Sequence, residues 1–248
     1  MLKNFLYSVH GIILLCLTVN LSCGFPLKRI RNVDSVIDVS KRKPEDISTE
    51  KEANKTIKAY SIDFKVPNPL IGSNMTYRRI DPNHENIIKC RATLLDDIST
   101  EADIMLQCFK DSLNDEEQIS FRENYNKKNI KDGMFRIRIS MESGFSPKSM
   151  EPKHWTIYLE NSRGIMIEPS EITSSAVTSQ EDSVYSEFYR INLPRHLLRR
   201  DITLYFKSTT FFGEDLLSKS NPFIVLVIAR VKKTLARIAW KTSEFPKK

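Results

Sequence analysis

From Met134 onward, apolar and polar residues alternate with the period of two that puts one face of a β-strand in a core and the other in water. Phe135-Arg-Ile-Arg-Ile-Ser140 alternates strictly. So does His154-Trp-Thr-Ile-Tyr-Leu-Glu160. Asn161-Ser-Arg-Gly164 then supplies a turn and Ile165-Met-Ile167 returns, which predicts a hairpin ended by Pro169. Val184 to Leu193 predicts a long strand ended by Pro194, and Ile202-Thr-Leu-Tyr-Phe-Lys207 a further one. Pro222-Phe-Ile-Val-Leu-Val-Ile-Ala229 is apolar throughout, as in a strand central in its sheet, and Thr234-Leu-Ala-Arg-Ile-Ala-Trp240 is its expected partner.

Upstream, Ser61-Ile-Asp-Phe-Lys-Val66 reads as a half-buried strand closed by Pro67 and Pro69, and Asn86 to Leu95 fits a strand or a short helix. Ser99 to Lys110 predicts a helix. Ser99 or Thr100 caps it, Glu101 and Asp103 complement the dipole in its first turn, and Ile104, Cys108 and Phe109 fall at helical spacing. The charge-rich stretch from Asn114 to Lys131 is a loop or a solvated helix, with Ile119, Phe121 and Tyr125 as docking points. Short strands separated by turn signals predict a mainly β fold with minor α: an antiparallel β-sandwich of immunoglobulin-like architecture with one or two short helices. This single domain is expected over 58–241, with a helical insertion near 99–130 and a tail at 242–248.

Residues 23–57 read differently. Lys28-Arg29-Ile30-Arg31, Lys41-Arg42-Lys43 and Glu50-Lys51-Glu52 mix charges, aromatics are nearly lacking and no period persists. Such a stretch buries too little apolar surface to offset its ordering entropy, which predicts a flexible tether. Before it, Lys3 precedes an apolar run from Phe5 to Val19, short for a membrane span, and then Asn20-Leu-Ser-Cys23-Gly24. These are the parts of a bacterial lipoprotein signal over 1–22, cut before Cys23, whose thiol and new amino terminus then take acyl chains. An ordinary secretory signal and a retained anchor are the alternatives. Each buried methylene contributes on the order of 0.8 kcal/mol, and stable anchoring needs more than one chain.

Hydrophobic residues make up 40% of the 248, enough for a core. The formal charge is +7, and Lys3 is the only charged residue of the signal, so the mature chain carries about +6. This modest excess favours acidic partners such as anionic headgroups, a sulfated glycan or an acidic protein face, and gives no indication of nucleic acid. With Cys16 lost and Cys23 acylated, Cys90 and Cys108 remain, as one disulfide or as two buried thiols. Neither lies in a CxxC or Cys/His cluster, and the nucleophile, zinc and nucleotide motifs are lacking, so no metal, cofactor or catalytic residue is expected.

The most basic short segment is Arg195-His-Leu-Leu-Arg199-Arg200. After Pro194 it is expected to form one helical turn that presents Arg195, Arg199 and Arg200 together. With Arg136 and Arg138 on one strand face, these make a candidate anion or partner patch; Arg78-Arg79 is another basic pair. The plainer reading is a charged loop whose Leu197 and Leu198 plug the sandwich end. His154 beside Trp155 reads as a strand-edge residue. Thr209 to Leu217 reads as a loop with a functional tip or, more plainly, as a short helix over core residues Phe211, Phe212, Leu216 and Leu217, with Gly213 allowing a positive φ.

The relaxed lipobox Asn20-Leu-Ser-Cys23, the charged tether and the Ile/Lys/Asn-rich composition resemble the surface lipoproteins of Borrelia spirochaetes. Leu204-Tyr-Phe-Lys207, Phe212-Gly-Glu-Asp-Leu-Leu217 and Leu235-Ala-Arg-Ile-Ala-Trp240 are similar to the S-two antigen family among them, over about Tyr60 to Trp240. The resemblance implies a surface-exposed outer-membrane antigen and carries over no catalytic residue. The expected function is a lipid-anchored, non-enzymatic binding module for a host protein or glycan. The alternatives are a periplasm-facing structural or assembly lipoprotein, and an envelope hydrolase that gathers His154 or His196 with carboxylates.

Overall fold

The computed structural model describes residues 33–40, 47–70, 87–144, 146–161, 163–186, 191–209, 213, 216, 222–230 and 233–242, and only the backbone of 182–186 and 191–195. In chain order these form β1 (Ser35–Asp38), α1 (Glu50–Ala59), β2 (Ser61–Pro67), β3 (Ile87–Leu95), α2 (Asp97–Lys110), α3 (Asp115–Asn129), β4 (Met134–Ser143), β5 (Thr156–Asn161), β6 (Met166–Ile167), β7 (Glu171–Ser174), β8 (Thr178–Ser186), β9 (Ile191–Lys207), β10 (Phe223–Arg230) and β11 (Lys233–Lys241). Two 3-10 turns, Pro147–Met150 and Pro152–His154, link β4 to β5.

The strands form two sheets. The first runs β1-β11-β10-β5-β6 and the second β2-β3-β4-β9-β7, with β8 also paired to β9. Apart from the parallel β1–β11 pair, the pairings are antiparallel. Alternation decides what faces inward. Ile88, Cys90, Ala92 and Leu94 of β3 and Phe135, Ile137, Ile139 and Met141 of β4 meet Ile224, Leu226 and Ile228 of β10 across one core. Phe135 and Phe206 are register partners and stack with centroids 5.6 Å apart. β10, apolar throughout, is buried on both faces: Val225 and Val227 form a second small cluster with Ala239 on the outside of the first sheet, joined by Val33 and Tyr158.

At one end of the sandwich Trp240 is fully buried, and its Nε1 donates to the Tyr60 carbonyl at 2.9 Å, which also accepts from Leu94 N at 3.2 Å. The contact ties β11 of the first sheet to the chain entering β2 of the second.

The helices lie outside the second sheet or beside it. α2 is capped by Asp96 rather than by Ser99 or Thr100. Ser99 sits at the third helical position, where its hydroxyl accepts from the Asp96 amide. α3 follows as a solvated helix, and Gly133, at φ +68°, turns the chain into β4. Gly213 adopts the expected positive φ, +76°.

Three expectations need correction. The tether of 23–57 is not structureless. β1 adds to the edge of the first sheet, and α1 is held by a capping box in which Thr49 and Glu52 satisfy each other's backbone N–H. With α1 there are three α-helices among the described residues rather than one or two. The third correction concerns Pro194, which ends no strand. The expected strand over 184–193, the helical turn over 194–200 and the strand over 202–207 are instead the end of β8 and one continuous β9. β4 pairs only with 198–207, so β9 is an edge strand at Pro194, where a missing N–H is tolerated.

Trp240→Ala should reduce the free energy of unfolding by about 3–5 kcal/mol, measured by urea denaturation. A loss below about 1 kcal/mol would contradict a core keyed by this residue.

Candidate functional site

β9 carries more than one role along its length. Residues 202–205 lie between β4 and β7, and 198–199 between β4 and β8. Among the described residues, 191–197 pair with β8 alone. The β8–β9 hairpin therefore leaves the sandwich as a two-stranded ribbon of about 20 Å, from the usual strand rise. Arg195, His196, Arg199 and Arg200 lie in it or at its base.

The ribbon separates the arginines that a helical turn would have gathered. In a strand, neighbours point to opposite faces. Arg199 pairs with Glu142 on the outer face, its Nη2 3.2 Å from Oε2, whereas Arg200 Nε donates to the Ser175 carbonyl at 3.3 Å. Arg195 stands opposite Asp182 in register and the exposed His196 opposite Glu181. Leu198 packs against the core, and Leu197, buried as well, faces the other side of the strand. Among the described residues, acidic groups accompany the basic ones here, which leaves a mixed rather than a strongly cationic surface. The Arg91–Asp63 pair, exposed on both sides, adds little to stability. Arg78 and Arg79 lie outside the described residues, as does Cys23.

Arg136 and Arg138 do share one face of β4, as their spacing requires, but that face lies under α2 and α3. Arg136 is 4% exposed. Its Nη2 donates to Thr100 Oγ1 at 2.8 Å, and its guanidinium carbon lies 5.7 Å from the centre of the Tyr125 ring. Arg138 Nη1 sits between the two oxygens of Asp103, at 2.7 and 2.8 Å, and Tyr125 Oη donates to Oδ2 of the same carboxylate at 2.7 Å. Burial opposes the charge on Arg138, but Asp103 outweighs it and leaves the guanidinium pKa above its ordinary value. Nearby, Lys131 pairs with Glu171 and lies 4.5 Å over the ring of Tyr205, the register partner of Arg136. A polar cluster assembled from α2, α3, β4 and β9 thus lies between helices and sheet. From sequence alone its carboxylate and phenol, Asp103 and Tyr125, are a first-turn charge and a docking point; only the fold brings them together.

Cys90 and Cys108 are two free, buried thiols rather than a bridge. Cys90 points into the core from β3 and Cys108 belongs to α2; burial pushes the Cys90 thiol up to about 12 and raises that of Cys108. Cys90 borders a gap shared with Met141, Trp155 and Ile202, apolar on all sides and about 10 Å³ in volume, room for roughly one water. His154 lies in the turn before β5, edge-on to Trp155, and His196 in the ribbon. No cluster of three or more His, Cys, Asp or Glu is placed to hold a metal among the described residues. Nor is any described helix long and apolar enough to cross a membrane.

No protein-family model, curated protein or solved structure matches this chain.

Tyr125 gives the cluster a pH signature. Burial first, and then the Asp103 charge, push its hydroxyl up to about 12, from an ordinary value of 10.0. The folded pKa lies above the unfolded one. The stabilisation is therefore complete below pH 10 and fades as pH rises through 12. Unfolding measured between pH 9 and 12 should show wild type losing stability faster than Tyr125→Phe. Parallel curves would place the phenol outside the cluster.

Proposed function

We propose that this chain is a lipid-anchored outer-surface lipoprotein whose β-sandwich acts as a non-enzymatic binding module for a host protein or a sulfated glycan. The observation that carries this reading is the β8–β9 ribbon: an arm whose strands, among the described residues, pair only with each other over 191–197, beyond the end of the β4 pairing. Loops and arms on a rigid scaffold are where recognition residues concentrate. Pro194 blunts the open edge of β9 against strand addition, so the ribbon presents side chains rather than backbone to a partner. Arg195 and Arg199 remain the candidate contacts for an acidic group, with Arg200 turned to the other face.

The anchoring half of the proposal rests on Lys3, the apolar run and Asn20-Leu-Ser-Cys23. β1 adds a length constraint. Ser35 is paired to Ile238 and lies twelve residues after Cys23, so the leash spans at most about 40 Å. The domain is held within about its own diameter of the bilayer rather than on an arm that runs to residue 57.

Cys23→Ala should abolish labelling by a radioactive fatty acid and release the chain from membranes, and a non-permeant protease should remove the wild-type domain from intact cells while a periplasmic control survives. Retained labelling of the variant would contradict the anchor. Survival of the domain until lysis would favour the periplasm-facing assembly role.

A further inference from the structure

Arg136 presents a charge-accounting problem. The residue is 4% exposed, and its guanidinium, with five N–H donors, makes one hydrogen bond, to a neutral hydroxyl; none of its nitrogens is both sealed from solvent and unpartnered. A buried cation is normally held by a carboxylate, because an uncompensated one is costly to desolvate. Four carboxylates nearby are directed at other cations, and Glu142, on the same face of β4, holds Arg199. Asp103 holds Arg138 and Tyr125, Glu171 holds Lys131, Glu101 holds Arg122 at 2.5 Å, and Asp201 faces Arg138. None reaches Arg136 among the described residues.

The covering helix is lightly held. α3 buries none of its residues. Tyr125 and Arg122 are its polar ties to α2, and Asn126 Oδ1 is buried without a hydrogen-bond partner among the described residues. Lifting α3 would cost the Tyr125 contacts and relieve that orphaned oxygen. A second cation is close by. Lys131 stands over Tyr205, beside Arg136 in the sheet, and its pair with Glu171 is partly exposed and readily exchanged.

We propose that Arg136 anchors an oxyanion site for a sulfate or phosphate group, closed in this structure by Tyr125 and opened by movement of α3, with Lys131 as the second cation. The bound oxyanion supplies the negative charge that the fold withholds from Arg136, through charge-assisted hydrogen bonds to the N–H groups that Thr100 leaves free. The site is independent of how the domain is anchored and of what the ribbon binds.

The test is a titration of the full-length chain, labelled with 15N-arginine, with inorganic sulfate and separately with inorganic phosphate. Chloride holds ionic strength constant. The Arg136 Nε–Hε resonance should shift saturably. Tyr125→Ala should bind at least about fivefold more tightly, because the closed population no longer reduces apparent affinity. Arg136→Met should fold and lose the response; should it not fold, wild type and Tyr125→Ala still read the site with Arg136 intact. A sulfated monosaccharide that matches inorganic sulfate makes a glycan the source of the group, and one that fails makes it the free ion. An Arg136 resonance unmoved by either anion in both wild type and Tyr125→Ala, or a binding response unchanged in Arg136→Met, overturns the proposal.

Discussion

A single strand has to satisfy three neighbours, and much of the second sheet follows from that demand. β9 pairs with β4 along 198–207, with β7 along 202–205 and with β8 along 191–199. Its inner face must be apolar where both sheets meet, and Ile202, Leu204 and Phe206 supply this. Its outer face must meet the rows of β4 that run under the helices, so Tyr205 comes to lie beside Arg136 and Thr203 beside Arg138. Beyond Leu198 the pairing with β4 stops while the strand continues. The core-forming part and the projecting part are then one extended segment, and the arm takes its direction from the sheet rather than from a flexible loop.

The sheets were largely legible in the sequence, because alternation over half a dozen residues is hard to satisfy in any other way. β2, β4, β5, β10 and β11 lie where the pattern puts them, and the continuous apolar run of β10 has the stated cause, burial on both faces. The misreadings have physical reasons. A proline terminates a strand paired on both sides but not one at an edge, so Pro194 lies within β9. β1 is four residues long, and its partner lies some 200 residues away, so no local pattern announces it. α1 does carry a signal, Thr49 and Glu52 at capping-box spacing, inside a stretch whose mixed charge otherwise resembles a solvated linker.

The candidate surface was harder to read than the fold. Parity put Arg136 and Arg138 on one face correctly, yet nothing in β4 itself says that α2 and α3 cover that face. Free cations in a sequence look alike; only the fold distinguishes Arg138, satisfied by Asp103, from Arg136, left with a hydroxyl and an aromatic ring. The expected trio of Arg195, Arg199 and Arg200 depended on a helical period, and in a strand the last two turn to opposite sides. The two buried thiols illustrate the same limit, since spacing in sequence leaves pairing open and position in the fold decides it.

Amide hydrogen exchange along β9 tests most directly the claim that one strand both closes the core and carries the arm. Amides of 198–207 should exchange slowly, at rates close to global unfolding, with a sharp step to faster exchange across 191–197. Uniform protection from 191 to 207 would mean that the arm is packed against the body. Loss of protection already at 200 would mean that the strand breaks where the sheet is said to hold it.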